Sequence, residues 1–277
     1  MTRSADPLLD VGGLTVQYQR GRGRPPLTAL HGVDLSVHAG ETLGLVGESG
    51  SGKSTIGNAV LGLVAPTAGT IRFAGEDITH ASPRRRRALT RDIQVVFQNP
   101  HGSLNPVRTI GQTLEEPLLA HQTLNRAQRR AEVASALERV RLDPGAAARY
   151  PAQFSGGQLQ RIAIARALML SPRLIICDEA VSALDLSIQA QILNLLRDLQ
   201  QELHLSYLFI SHDLAVVRHV SNRVAVLYRG RLMETGIAHE VCEHPRHPYT
   251  QALLASAPVP DPTRRRSGRP WAGRTLP

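Results

Sequence analysis

The sequence has little cysteine and few aromatic residues. Of its 277 residues, 2 are cysteine and 4% are Phe, Trp or Tyr. Two cysteines are too few for a disulfide framework and suit a reducing compartment. The hydrophobic fraction of 42% still supports a core, which must consist mainly of Leu, Val, Ile and Ala. The composition therefore excludes a disulfide-rich scaffold and a wholly disordered chain.

Long hydrophobic runs are also missing. No window approaches the ~18 consecutive apolar residues of a membrane-spanning helix. Residues 1–13 contain no apolar segment of the kind found in signal peptides. We therefore expect a soluble, cytoplasmic chain, and any membrane process that it serves would need another chain to cross the membrane.

Lysine is nearly absent, although the chain is strongly basic. The formal net charge is +9, and of the 32 cationic residues all but Lys53 are arginine. A basic chain can bind nucleic acid or an anionic membrane surface. The arginine run at 84–87, however, contains no aromatic residue, and the arginines of the Pro/Gly-rich tail have only Trp271 among them. We interpret these arginines as solvated side chains and expect no nucleic acid partner.

Short apolar runs predict the strands of a parallel sheet. They are rich in β-branched residues and do not alternate with polar ones, as expected of strands buried on both faces. The runs are 42–46, 93–97, 173–177, 207–210 and 223–228. Helical patterns lie between them, at 55–63, at 159–170 and in an apolar stripe along 188–203. This alternation predicts an α/β fold.

Residues from about 100 to 155 interrupt that alternation and predict helices and loops without a strand. Asn125 and Gln128 have the spacing of a capping box, which opens a helix with Val133, Leu137 and Val140 on its inner face. We predict a helical insertion here. Residues 261–277 are rich in Pro, Arg and Gly, and we predict that they are disordered.

One glycine-rich segment has the complete pattern G-x-x-x-x-G-K-[ST] of a phosphate-binding loop. A predicted strand precedes it and a predicted helix follows it. Its glycines let backbone N–H groups close around phosphates, and the helix N-terminus adds its positive dipole end. The lysine ammonium suits the β- and γ-phosphates, and Ser54 offers a hydroxyl to Mg²⁺. This phosphate loop comprises Gly47, Glu48, Ser49, Gly50, Ser51, Gly52, Lys53 and Ser54.

A second chemical signal is the pair Asp178 and Glu179, which follows the apolar run Leu-Ile-Ile-Cys. Ligands of open α/β sheets bind beyond the carboxyl ends of the strands. We therefore expect Asp178 to hold Mg²⁺, directly or through water, and Glu179 to polarise an attacking water as a general base.

A second anion-binding helix N-terminus is predicted at Phe-Ser-Gly-Gly-Gln, residues 154–158. Two phosphate-binding helix N-termini in one chain are unusual unless each serves a different nucleotide. In this respect the sequence resembles the ATP-binding cassette (ABC) ATPases, with motifs matching in order across some 200 residues. The resemblance implies an α/β fold with a P-loop NTPase (RecA-like) core, an antiparallel β subdomain and an inserted α-helical subdomain at about 100–157.

The resemblance also implies the roles of individual residues. Ser155, Gly156, Gly157 and Gln158 would form the signature segment that closes over the ATP held by the phosphate loop of a second ATPase. Tyr18 would stack on adenine, Gln98 would sense the γ-phosphate, and His212 would contact it. The loop Ser182-Ala183-Leu184-Asp185 would cross the dimer interface. Thr55 joins the nucleotide-binding residues, and the implied Mg²⁺ ligands are Ser54, Gln98 and Asp178.

Two departures from the commonest family pattern are Phe154, where Leu is typical, and Ala180, where Pro often follows the catalytic Glu. The position of Phe154 is a packing position, and Ala180 is a mild departure. Since Glu179 and His212 are intact, the sequence argues against a non-catalytic regulatory cassette and predicts an active ATPase.

Two further segments resemble the ATPases of oligopeptide and dipeptide importers. They are Phe-Gln-Asn-Pro-His-Gly-Ser-Leu-Asn-Pro at 97–106 and His-Pro-Arg-His-Pro-Tyr-Thr-Gln-Ala-Leu-Leu at 244–254. We therefore expect an ABC ATPase domain at 1–240 and a peptide-importer C-terminal extension at 241–277, closer to the second (F-type) ATPase of such importers. Alternatives are import of nickel or another small solute, and a non-transport ABC ATPase acting on nucleic acid.

The resemblance implies a set of partners and a location. ATP and Mg²⁺ are the expected cofactors. A second ATPase, either a paralogue or a second copy, would join head to tail. Two permease subunits and, indirectly, an extracytoplasmic solute-binding protein would complete an importer at the cytoplasmic face of the membrane.

A metal site is an open question in the extension. His239, Cys242, His244 and His247 are suitable ligand types in a compact spacing. The importer resemblance, however, accounts for His244 and His247 without a metal, and we favour that interpretation.

The lone lysine generates a test. We expect Lys53→Arg to abolish ATP turnover, because a planar guanidinium is broader than the ammonium that a tightly wrapped loop accepts. A steady-state ATPase assay checks this. Near-normal turnover in the variant would show that the loop needs only a positive charge.

Overall fold

A computed structural model describes residues 6–21 and 23–256. The predicted disordered tail at 261–277 lies outside the described residues. The strands are β1 Leu9–Tyr18, β2 Leu27–Val37, β3 Thr42–Val46, β4 Ala68–Phe73, β5 Glu76–Asp77, β6 Ile93–Phe97, β7 Leu174–Asp178, β8 Ser206–Ser211, β9 Arg223–Tyr228 and β10 Arg231–Ile237. The helices are α1 Lys53–Leu61, α2 Pro83–Leu89, α3 Pro100–Ser103, α4 Ile110–His121, α5 Arg126–Arg139, α6 Gly156–Leu168, α7 Leu186–Leu203, α8 Leu214–Val220, α9 Ala238–Glu243 and α10 Pro248–Ser256.

The described chain divides into two compact units. The phosphate-loop unit contains residues 6–36, 42–79 and 210–256, and the helical unit contains residues 37–41 and 80–209. Each unit combines strands with helices, as the α/β prediction requires.

The phosphate-loop unit contains a four-stranded sheet in the order β2-β1-β4-β5. β1 pairs antiparallel with β4, and β4 pairs antiparallel with β5, so the expected antiparallel β subdomain is present. The β1–β4 register shifts between Gly12 and Thr15. Such a bulge interrupts the alternation of buried and exposed residues, which explains why no strand was predicted here.

The same unit contains the strands that carry the phosphate loop. β9 pairs antiparallel with β10 and parallel with β3, where Leu43 faces Arg223 and Val46 faces Val226. Every residue of β3 is buried. The prediction of a strand covered on both faces is therefore confirmed for the strand that leads into the loop.

The helical unit contains a second group of parallel strands. β6 pairs parallel with β7, from Ile93 facing Leu174 to Phe97 facing Asp178. Residues 206–209 of β8 belong to this unit, and β8 lies on the other side of β7. Helix α7 buries the predicted apolar stripe, with Ile192, Leu195, Leu196 and Leu199 facing inward.

Most predicted bounds agree with the structure, and the differences occur at element ends. Strands 42–46, 93–97 and 223–228 are confirmed, whereas 173–177 is observed one residue later and 207–210 is one residue longer at each end. The helix predicted at 55–63 starts at Lys53, and Gly62 ends it in the left-handed conformation. The helix predicted at 159–170 starts at Gly156, since Ser155 caps it.

Residues 100–155 contain helices and no strand, as predicted. Asn125 and Gln128 form the predicted capping box of α5, and Val133, Leu137 and Val140 are buried. Thr109 and Gln112 cap α4 in the same way. Among the described residues, no helix has the length and apolar character needed to cross a membrane.

A glycine of β4 and a glycine of the turn between β4 and β5 allow a matched stability test. Gly69 and Gly75 both have positive φ, at +92° and +82°. A Cβ on Gly69 would lie 2.4 Å from the carbonyl oxygen of Gly13, whereas a Cβ on Gly75 would meet nothing within 4 Å. We expect Gly75→Ala to cost about 1–2 kcal/mol, from the left-handed conformation alone. Gly69→Ala should lower the free energy of unfolding by more, because backbone atoms must shift. Equal losses in urea unfolding would contradict this.

Candidate functional site

The phosphate loop connects the buried strand β3 to helix α1. Lys53, the first residue of α1, is 4% exposed. Its Nζ donates to the carbonyl oxygens of Gly47 and Glu48, each at 2.8 Å. The lysine side chain therefore turns back into the loop and holds its first two carbonyl groups.

Neighbouring backbone atoms leave room only for glycine at two positions of the loop. A Cβ on Gly47 would lie 2.0 Å from the carbonyl oxygen of Leu227, at the end of β9. Gly52 has φ +104°, and a Cβ there would lie 2.9 Å from the Ala29 carbonyl oxygen. Any larger residue at either position would push the loop off the strands that support it.

Sequence analysis missed one residue that supports the loop. The Gly230 N–H donates to the Ser51 carbonyl at 2.8 Å, and its own carbonyl accepts from His31 N–H at 2.9 Å. Gly230 has φ +75°, and a Cβ would lie 2.3 Å from the Ala29 carbonyl oxygen. The available signal was a glycine two residues after a predicted strand, which is also a common turn pattern.

The loop residues fit a phosphate ligand. Helix α1 has nine residues, and its N-terminal cap is Gly52, which makes no side-chain cap hydrogen bond. A Cβ on Gly50 would meet nothing within 4 Å, so the loop is open there. An open helix N-terminus with a lysine ammonium and the Ser54 hydroxyl beside it suits a nucleotide phosphate with a hard cation.

Two of the predicted nucleotide-binding residues, Tyr18 and Thr55, contact each other. Tyr18 is the last residue of β1, and its hydroxyl donates to Thr55 Oγ1 at 3.4 Å. The Tyr18 side chain is 37% exposed, which leaves its ring accessible for stacking. His212 is exposed directly after β8.

The helical unit aligns two candidate catalytic segments. Because Phe97 and Asp178 face each other in parallel strands, Gln98 and Glu179 both follow at the same edge of the sheet. Glu179 has φ +51°, a conformation that costs energy in a residue other than glycine. The N–H and hydroxyl of Ser182 both donate to the Glu179 carbonyl, at 3.1 and 3.0 Å. The turn therefore holds this carboxylate residue in a strained backbone conformation.

The predicted interface loop follows that turn and ends in a helix cap. Asp185 Oδ1 accepts from the N–H groups of Ser187 and Ile188, at 3.1 and 3.0 Å. The N–H of Ile188, followed by the Ser187 hydroxyl, lowers the pKa of Asp185 below its usual value. Asp185 is therefore ionised at neutral pH and starts α7.

The signature segment forms the N-terminus of α6. Ser155 Oγ accepts from Gln158 N–H at 3.4 Å, and Gln158 Oε1 accepts from Ser155 N–H at 3.0 Å. A Cβ on Gly157 would lie 2.6 Å from Ile188 of α7, but a Cβ on Gly156 would meet only Leu184, at 3.8 Å. Packing thus explains Gly157, whereas nothing around Gly156 in this structure requires a glycine.

The two departures from the family pattern are packing positions in the structure. Phe154 is 8% exposed. The guanidinium carbon of Arg149 lies over the Phe154 ring, 4.2 Å from the ring centroid. Ala180 is 1% exposed. Cys177 of β7 is fully buried, and this burial raises the pKa of its thiol to about 12.

Two of the four candidate metal ligands of the extension, His239 and His247, have other partners. His239 Nε2 lies 3.0 Å from Glu243, and His247 Nδ1 accepts from Tyr249 N–H at 3.1 Å. Within residues 6–21 and 23–256, no group of three or more His, Cys, Asp or Glu side chains is arranged to hold a metal ion.

Comparisons with protein families give two matches. The family described as "ABC transporter" matches residues 30–182. The family described as "Oligopeptide/dipeptide transporter, C-terminal region" matches residues 233–275.

Curated relatives match nearly the whole chain. It is 49% identical to the di/tripeptide transport ATP-binding protein DppF of Pseudomonas aeruginosa, over 94% of this chain and 82% of the relative. It is 54% identical to the oligopeptide transport ATP-binding protein AppF of Bacillus subtilis, over 87% and 73%. It is 50% identical to the glutathione import ATP-binding protein GsiA of Escherichia coli, over 98% and 44%.

Solved structures show the same fold. CbiO1 from Clostridium perfringens, part of the ABC transporter complex cbiONQ, superposes with a TM-score of 0.78 at 29% identity, covering 87% of this chain and 92% of that one. The dimeric ATP-binding cassette MJ0796, bound to ADP and Pi, gives 0.74 at 29% identity, covering 83% and 98%.

The two signature glycines should respond differently to alanine. We expect Gly157→Ala to destabilise by about 1–3 kcal/mol, because the added methyl group overpacks Ile188. Gly156→Ala should be neutral or stabilising by up to about 1 kcal/mol, because alanine favours the helix and has room. Chemical unfolding of the two variants checks this, and a destabilised Gly156→Ala would contradict it.

Proposed function

Because this chain belongs to the ABC transporter family of ATPases, we propose that it is the ATP-binding and ATP-hydrolysing subunit of a peptide importer. Membership of the ABC transporter family supports ATP hydrolysis, and the matched C-terminal region supports peptides as the transported solute. DppF and AppF, both peptide transport proteins by name, support the same assignment.

One structural observation carries the proposal of two composite ATP sites. The chain has two helix N-termini suited to phosphate, one behind the phosphate loop and one at the signature segment. Ser155 is exposed, and no close contact within the chain requires a glycine at position 156. A ligand or partner that approaches this backbone closely would explain why a glycine is present. We therefore assign α6 to the ATP that is held by a second subunit.

In the phosphate-loop unit, the residues that would hold ATP have distinct tasks. Lys53 would exchange its loop carbonyl partners for the β- and γ-phosphates, and Ser54 would offer a hydroxyl to Mg²⁺. Tyr18 would stack on adenine from its position beside Thr55. His212 would contact the γ-phosphate.

In the helical unit, the acidic pair carries the hydrolytic step. Asp178 would hold Mg²⁺, and Glu179 would accept the proton of the attacking water. Gln98, at the same edge of the sheet, would complete the contacts to Mg²⁺ and the γ-phosphate. When bound, Mg²⁺ would neutralise charge on the phosphates.

The subunit would act within a larger assembly. Two ATPase chains would join head to tail, with Ser155–Gln158 and Asp185 of each facing the other's nucleotide. Two permease subunits would transmit the closure, and an extracytoplasmic binding protein would deliver the peptide. This chain would sit on the cytoplasmic face of the membrane, without binding peptide itself.

Reconstitution with its permeases and binding protein tests the proposal. We expect ATP-dependent uptake of a labelled di- or oligopeptide, and we expect Glu179→Gln to reduce uptake and ATP hydrolysis by about 10²–10⁴-fold, the usual contribution of a general base. ATP binding should persist, because the amide keeps the shape of the carboxylate.

Glu138→Gln is the matched control, since Glu138 is an exposed carboxylate on α5. It should leave uptake and hydrolysis unchanged. Unchanged uptake in Glu179→Gln would refute the assigned base, and uptake of Ni²⁺ in place of peptides would refute the assigned solute.

A further inference from the structure

We propose that Tyr249 of the C-terminal extension is a positioning residue for the phosphate loop. The nucleotide affinity of the loop would then depend on the docking of this extension. No nucleotide-binding motif of the sequence includes this tyrosine.

The carrying observation is a direct contact between the extension and the loop. The Glu48 N–H donates to the Tyr249 hydroxyl oxygen at 3.3 Å. The same peptide group has the Gly47 carbonyl at its other end, and that carbonyl accepts from Lys53 Nζ at 2.8 Å. One peptide group at the start of the loop is therefore held at its N–H by Tyr249 and at its oxygen by Lys53.

Tyr249 is itself rigidly placed. It is 1% exposed, and its ring centroid lies 4.3 Å from that of Tyr228, the last residue of β9. Burial raises the pKa of Tyr249 to about 12, so its hydroxyl is protonated at physiological pH. The neutral oxygen accepts from Glu48 through a lone pair and places no negative charge beside the loop.

The start of α10 is anchored to β10, which fixes the path of the chain to Tyr249. The Glu234 carboxylate accepts from the N–H groups of Arg246 and His247, at 2.9 and 3.1 Å. His247 Nδ1 in turn accepts from the Tyr249 N–H at 3.1 Å. A continuous series of hydrogen bonds thus connects Glu234 of β10, through His247 and Tyr249, to the phosphate loop.

This support matters most when a nucleotide binds. The inference rests on the proposed function, in which Lys53 leaves the Gly47 carbonyl for the phosphates. Tyr249 is then the partner that continues to hold the Gly47–Glu48 peptide group. A loop that already has its binding conformation loses less conformational entropy when the nucleotide binds.

The test compares two buried tyrosines in the full-length chain. Tyr249→Phe removes the hydroxyl and keeps the ring. Tyr207→Phe is the matched control, because the Tyr207 hydroxyl donates to the Leu196 carbonyl at 3.1 Å, in the helical unit. Competition of MgATP against a fluorescent ADP analogue measures Kd, and thermal scans of the nucleotide-free proteins measure stability.

We expect Tyr249→Phe to raise the Kd for MgATP about 2- to 10-fold, the effect of one neutral hydrogen bond. Tyr207→Phe should keep the wild-type Kd, whatever its effect on thermal stability. A lower Tm in Tyr249→Phe with an unchanged Kd would overturn the proposal, since Tyr249 would then serve stability alone.

Amide hydrogen exchange separates this inference from the proposed function. Exchange of the Glu48 N–H in the nucleotide-free protein should be faster in Tyr249→Phe than in the wild type, and equal rates would overturn the contact. A wild-type chain that fails to bind MgATP would refute the proposed function. Exchange at Glu48 would still decide whether Tyr249 holds the loop.

Discussion

The close packing of the phosphate loop against its own unit is the constraint on which the candidate site depends. The backbone at Gly47 passes so near the end of β9 that a single methyl group would collide with the Leu227 carbonyl. Gly230 holds the other side of the loop through Ser51. With the backbone fixed from both sides, the Lys53 ammonium can reach the loop carbonyls and, in the proposed function, the phosphates.

The helical unit also has a helix N-terminus that the proposed function assigns to a phosphate, at the signature segment. The N-terminus of α6 presents a capped first turn, and Asp185 caps α7 close by, next to the strained turn at Glu179. Gly157 is required by Ile188, whereas Gly156 is not required by any neighbour. In the proposed function, Gly156 lets the backbone of α6 approach the ATP that a second subunit holds.

Much of this could be predicted from the sequence because the signals are local. The phosphate loop, the acidic pair and the signature segment each occupy a few consecutive residues, and the buried strands that precede them read as apolar runs. The antiparallel strands were missed as elements, since the bulge after Gly12 breaks the period of β1. Helices α1 and α6 begin two and three residues before their predicted starts, because a cap rather than the apolar pattern sets the boundary.

The sequence by itself determined which chemical groups the chain carries and in which order. It identified Lys53 as the one ammonium among the arginines and His-Pro-Tyr-Thr as part of an extension. Only the tertiary structure decided that Tyr249, some 200 residues beyond the loop, touches the Glu48 N–H. The reason is physical: a motif depends on neighbours along the chain, whereas a hydrogen bond between distant segments depends on how β9, β10 and α10 pack, and no local pattern encodes that packing.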